Sequence, residues 1–322
     1  MKWLDIPNPY NKHLLSLGEN YIQEYMTSNL VCAFAGGSVG RGEADEYSDL
    51  DLNFYIVSDT NIETSQNGIF NNSIIQLHSH PLPDIREIHE HPWNYRFLQE
   101  AKCLYDPKDI FRHLRNEAVS YFESNDGQEL MKKQAFEIID RRLKWMEESI
   151  QNGEIMTASI AADSSWFDSA FCYSYFNFGS LSTGSLFRKV VGLKQFEGFR
   201  DIYFSGRRSG IDGMLESLKI YRMYLRENYS SNFSLDSVQD ELVSRKATRH
   251  IRSAEFENIK WQLSGEAFWC FLSIANGKTF EQHFEEMPEK IQESLRILGF
   301  IPYSVEQIRT IERYAEEIRS LV

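Results

Sequence analysis

Asp49 and Asp51 stand two residues apart, shortly after the glycine-rich stretch Ala35-Gly36-Gly37-Ser38-Val39-Gly40-Arg41-Gly42. An apolar run, Leu30 to Phe34, precedes that stretch, and a second, Leu52 to Val57, follows the aspartates. The pattern predicts a buried strand, a glycine turn, a polar connection and a second strand. Residues i and i+2 of a strand share a face, so both carboxylates point the same way. Two carboxylates beside exposed turn amides suit Mg²⁺ carrying a phosphorylated ligand, because Mg²⁺ takes one or two carboxylates and leaves the rest of its shell to water and phosphate. The glycines let backbone N–H groups approach phosphate closely, and Ser38 adds a hydroxyl donor. An ordinary β-turn bearing surface aspartates is the competing reading.

The elements that must position these groups follow from periodicity. Apolar residues from Leu14 to Met26 recur at helical spacing, which predicts a helix over about 13–28 ahead of the first strand. Residues 60–72 are polar and turn-rich, and Ser73 to His80 reads as a third strand with Gln76, His78 and His80 on one face. Trp93 to Cys103 reads as a helix. A boundary falls between about Asn116 and Asp126, where Ser124-Asn125-Asp126-Gly127 supplies turn residues. Everything beyond is helical in pattern, with helices expected over about 128–151, 158–178, 212–228, 236–253, 255–275, 280–298 and 304–321. Gly179 to Gly184 and Arg200 to Gly210 look irregular.

Gly37-Ser38, a spacer of ten residues, and then Asp49-x-Asp51 resemble the signature of the polymerase-β-like nucleotidyltransferases, in the minimal branch that modifies small molecules. The resemblance covers about Val31 to Pro107, and Ala101 to Pro107 resembles the strand and turn that end the domain in many small-molecule members. It implies an α+β fold: a nucleotidyltransferase domain over 1–120, a short mixed sheet with helices, followed by an all-α helical bundle over 121–322. It further implies transfer of a nucleoside monophosphate, AMP from ATP, to a hydroxyl of a small-molecule acceptor. Asp49 and Asp51 would hold Mg²⁺, while Gly37, Ser38 and Arg41 would meet the phosphates of the nucleoside triphosphate. The family's third-strand carboxylate is replaced here by Gln76, which puts two-metal chemistry in doubt. A nucleotide-binding regulator that has lost catalysis is therefore a rival reading. Nucleotidylation of a protein or RNA acceptor is another.

The helical half resembles the kanamycin-type aminoglycoside nucleotidyltransferases in outline. Those enzymes carry an acidic general base on the first helix of the second domain and a phosphate-binding lysine four residues later. Asp140 and Lys144 match that spacing, and i, i+4 residues share a helix face. Glu137, one turn earlier, is the alternative base, and a surface ion pair is the alternative role. The acceptor would then sit between the two halves. Asp163 and Asp168 either line an acceptor pocket or lie on a helix surface. Arg200, Arg207 and Arg208 form either a phosphate clamp or a solvated loop. His78, His80, His89 and His91 lack helical metal-ligand spacing, and Trp261, Phe268, Trp269 and Phe271 read as core.

Composition narrows the partners. The chain has 322 residues, 42% of them hydrophobic and 14% aromatic, enough for two domains with substantial cores. A net charge of −13 argues against an extended nucleic-acid contact, which needs clustered Lys and Arg. Cys32, Cys103, Cys172 and Cys270 are scattered, with no CxxC pair, as expected of reduced thiols in a cytoplasmic protein. No stretch has the apolar length of a membrane span.

Overall fold

The computed structural model describes residues 8–57, 63–205, 209–229 and 235–322. The protein is α+β, and the chain divides into two compact units. One comprises Met1–Met131 with Asp236–Arg249, the other Lys132–Leu235 with His250–Val322.

The first unit begins with α1 (Pro9–Tyr25). Asn8 caps it, accepting from the backbone N–H groups of Tyr10 and Asn11, and Pro9 takes the first helical position, where a missing N–H costs nothing. Then come β1 (Leu30–Ala35), the short α2 (Gly37–Arg41), β2 (Leu50–Ile56), β3 (Thr64–Phe70) and β4 (Ser73–Pro81). The short α3 (Ile85–Glu90) and α4 (Pro92–Tyr95), a 3₁₀ turn, β5 (Lys102–Tyr105) and α5 (Ile110–Glu123) follow. The strand order is β3-β4-β2-β1-β5; β2 and β4 run parallel and the other neighbours antiparallel.

Each face of the sheet has its own cover. Leu50, Leu52 and Phe54 of β2 and Ile75 and Leu77 of β4 bury against Leu14, Leu17 and Ile22 of α1. On the opposite face, at the β1 end, Phe34 stacks on Phe111 of α5 at 4.7 Å and meets Tyr55 at 5.2 Å. The rest of that second face, carrying Asp51, Asn53, Gln76 and His78, is polar.

Two expectations for this unit are corrected. Residues 60–72 are not simply a connection, because 64–70 form the edge strand β3, antiparallel to β4. Asn71 and Asn72 close the hairpin with φ of 47° and 64°, a left-handed pair that asparagine tolerates and that matches strand twist. Nor is 93–103 one helix. It splits into the end of α4, a 3₁₀ turn over Arg96–Gln99 and the start of β5, which pairs with β1.

From Asn125 onward the described residues are mainly helical: α6 (Asn125–Asn152), α7 (Ile155–Phe178), α8 (Leu186–Val190), α9 (Lys194–Ser205), α10 (Ile211–Asn228), α11 (Ser237–Arg252), α12 (Phe256–Leu272), α13 (Phe280–Glu286), α14 (Glu289–Ile297) and α15 (Val305–Arg319). The helix expected over 280–298 breaks at Met287-Pro288. A residue preceding proline is pushed out of the helical region, and Met287 is extended with ψ 145°. Arg200 lies on α9 rather than in a loop. Gly206, Arg207 and Arg208 lie outside the described residues.

The second unit's core centres on Trp166, which is fully buried and stacked on Phe199 at 3.8 Å. Trp261 flanks this cluster, stacked on Phe167 at 4.7 Å. Trp269, expected in the core, is 55% exposed. Among the described residues no helix is long and apolar enough to cross a membrane.

Candidate functional site

Asp49 immediately precedes β2 and is 3% exposed, whereas Asp51, within the strand, keeps partial access to solvent. Strand alternation turns Leu50 and Leu52 into the α1-facing core and leaves Asp51 on the polar face. Asp51 is in direct register with Gln76 of β4. The position expected to carry a third carboxylate therefore adjoins the acid pair and presents a neutral amide.

The glycine stretch is fitted to Asp51. Gly37 has φ +56°, and a Cβ built there would fall 1.7 Å from Asp51 Oδ2. Only glycine meets both conditions. Gly36 N–H donates to the Asp51 carbonyl at 2.9 Å, tying the turn to the strand end. The turn is held from behind by the buried Asn11, whose amide donates to Val39 O at 2.7 Å and whose oxygen accepts from Ala44 N–H at 2.9 Å. Asp45 shapes the last turn before the site, accepting from Tyr47 N–H at 2.9 Å and Ser48 Oγ at 3.1 Å.

The polar face is completed by α11, a helix that the sequence pattern placed in the helical half. Lys246 Nζ lies 3.5 Å from Asp49 Oδ2, and Arg249 lies 3.9 Å from Asp45. Two turns before Lys246, Gln239 accepts from Gln76 Nε2 at 3.2 Å, and the same amide donates to Asn67 at 2.9 Å. Asn67 in turn donates to Asp236 at 2.7 Å. Nothing local in α11 marks these residues as site groups. A lysine and an arginine three apart on an amphipathic helix are commonplace.

The charges respond to one another. Burial, and then the charge of Asp49, pushes the Asp51 carboxyl well above the ordinary carboxylate value; Lys246 and Arg41 pull it back only in part. Burial works against the Lys246 ammonium, but Asp49 and Asp51 more than offset it, and its pKa rises despite repulsion from Arg249. The acid pair thus has a surplus of negative charge. Two hard-oxygen groups in that state are the residues here that could hold a divalent cation. Among the described residues no group of three or more His, Cys, Asp or Glu gathers to hold a metal.

The other expected site residues fall as follows. Arg41 is committed to Glu43 at 2.8 Å and Glu100 at 3.1 Å. Asp140, in the second unit, is ion-paired with Arg319, and Lys144 is 76% exposed and 3.6 Å from Glu148. Asp163 accepts from Tyr303 Oη at 3.1 Å, and Asp168 pairs with Arg142 at 3.3 Å. Arg200 pairs with Glu197 at 3.0 Å. His78 bonds Ser65 at 2.9 Å and His80 lies 3.1 Å from Glu63, while the His89 ring rests on Tyr121.

No protein-family model matches the chain. No curated protein matches it either. Among solved structures it is similar to a nucleotidyltransferase-like protein from Exiguobacterium sibiricum 255-15, with 12% identity, 89% of this chain and 88% of that chain covered, and a TM-score of 0.36.

Proposed function

We propose that the first unit is a polymerase-β-like nucleotidyltransferase domain, which binds a nucleoside triphosphate, ATP by preference, with Mg²⁺ and transfers its nucleotidyl group to a hydroxyl of a small molecule. The observation that carries this reading is the fit of the glycine turn to the acid pair, with Gly37 seated against Asp51 so closely that no side chain could intervene. Asp49 and Asp51 would hold the metal, which supplies charge neutralisation for the triphosphate. The amides and hydroxyl of Gly37 and Ser38 would grip its phosphates. Arg41, engaged by Glu43 and Glu100, adds positive potential behind Asp51.

The acceptor oxygen attacks the α-phosphorus in line, the bond to the bridging oxygen breaks, and pyrophosphate leaves while the hydroxyl proton passes to a base. Asp140 is the base that the family resemblance suggests, with Lys144 as a phosphate contact. The rival reading, a nucleotide-binding regulator without turnover, is favoured by one observation. Gln76, in the place of the third acid, has its amide tied to Asn67 and Gln239.

Isothermal titration with ATP and Mg²⁺, run beside a pyrophosphate-release assay over a panel of hydroxylated acceptors, tests both. Binding with turnover that Asp49→Asn abolishes is the expected result. Binding without turnover on any acceptor selects the regulator, and no binding of any nucleotide defeats the site itself.

A further inference from the structure

Asp49 is almost wholly enclosed, its side chain 4% exposed against 35% for Lys246. Among the described residues the Lys246 ammonium is the one side-chain group within ion-pair distance of that carboxylate, at 3.5 Å. The distance is longer than a tight charge-assisted hydrogen bond, so the contact is more electrostatic than locked. The helix beneath Lys246 is anchored independently, through Gln239 to Gln76, through Asp236 to Asn67, through Arg249 near Asp45, and by the buried Leu242 and Ala247. A lysine stem is long and flexible. The ammonium can therefore leave Asp49 while α11 stays in place.

Charge balance says when it would leave. With both carboxylates ionised, Asp49, Asp51 and Lys246 together fall one positive charge short of neutrality, since Arg41 is engaged by Glu43 and Glu100 and Arg249 lies against Asp45. A divalent cation added to that group creates a surplus of one, and two cations then compete for the same enclosed carboxylate. An anion arriving with the metal removes the conflict by giving the ammonium a new partner.

We propose that Lys246 is an exchangeable counter-ion, which neutralises Asp49 in the free protein, competes there with divalent cations, and transfers to the phosphates of an incoming nucleotide. Metal and nucleotide then favour one another's binding by the same factor, as linkage requires. The inference rests on the reading of Asp49 and Asp51 as cation ligands, and adds that the metal alone is a poor ligand by construction.

The test is a titration of the full chain with Mn²⁺ in the absence of nucleotide, followed by the loss of the free-ion electron paramagnetic resonance signal. Lys246→Met should bind Mn²⁺ about tenfold more tightly than wild type, within the usual span of coupling between sites. Lys246→Arg, which keeps the charge, should stay near wild type. Binding of a non-hydrolysable ATP analogue should gain from Mn²⁺ in wild type and lose most of that gain in Lys246→Met. Thermal melts check folding, and Lys246→Gln replaces the Met variant if that variant is unfolded. Equal Mn²⁺ affinity in wild type and Lys246→Met, weakened in both by Asp51→Asn, overturns the counter-ion role and leaves the nucleotide reading standing. Failure of every variant to bind Mn²⁺ or the analogue overturns both.

Discussion

The ammonium of Lys246 lies 3.5 Å from the carboxylate of Asp49 across 197 positions of chain. Removing one member of such a pair strands the other. Lys246→Met should destabilise the protein by about 1–2 kcal/mol, less than for a fully enclosed pair because the lysine is 35% exposed. Adding Asp49→Asn should restore most of the loss. Urea denaturation of the two single variants and the double variant checks it. Additive losses would mean that the two groups do not interact.

Gly37 and Gly42 separate backbone strain from contact with Asp51. Both have positive φ, +56° and +78°, but a Cβ on Gly42 would meet nothing within 4 Å, whereas one on Gly37 would strike Asp51. Gly42→Ala should cost about 1 kcal/mol from strain alone. Gly37→Ala should cost at least about 2 kcal/mol more, or displace the Asp51 side chain. Equal losses in a denaturation experiment would show that Asp51 is not seated against the turn.

Gln76→Glu places a third acid in register with Asp51 and takes an amide donor from Asn67 and Gln239. The metal-free variant should lose about 1–3 kcal/mol through like-charge repulsion and unmatched acceptors. Added Mg²⁺ should raise its melting temperature more than it raises that of wild type. A variant as stable as wild type and indifferent to Mg²⁺ would place Gln76 away from the acid pair.

His283 supplies a pH dependence in the second unit. It is 1% exposed, its Nε2 lies 2.8 Å from the Tyr221 hydroxyl, and burial lowers its pKa to about 4, with Glu286 and Lys278 facing it electrostatically. Between that value and the ordinary 6.5, the unfolded chain binds a proton that the folded chain does not. This contribution to stability is therefore present above about pH 6.5 and lost as pH falls toward 4, up to about 3 kcal/mol in all. His283→Gln keeps an acceptor for Tyr221 but does not titrate. Its urea midpoint should fall less than that of wild type between pH 7.5 and 4.5, and parallel falls would deny His283 the role.

What the sequence showed and what it hid divide by range. The Gly37-Ser38 and Asp49-x-Asp51 spacing, the strands flanking it and the long helices rest on patterns within a few turns of chain, and period and turn chemistry are local. The edge strand β3 escaped because its Gln66-Asn67-Gly68 stretch has the composition of a loop, and only pairing with β4 holds it extended. The cover of the polar face escaped for a different reason. Lys246, Gln239 and Arg249 acquire meaning from Asp49, Gln76 and Asp45, and no window of sequence contains both sets. The same holds for Arg319, which occupies Asp140 from the far end of the chain.

The split origin of the first unit has a consequence for synthesis. Its sheet is encoded before Lys132, but the helix bearing Lys246 emerges from the ribosome only after Lys132–Leu235 has been made. A nascent chain can assemble strands, glycine turn and α1 early, yet it then carries Asp49 and Asp51 with the field of Arg41 but without the Lys246 ammonium. The counter-charge arrives late in translation. A chain arrested before Asp236 would thus hold the acid pair without its lysine, so the lysine-paired form of the site belongs to a chain that has been read through at least to Arg249.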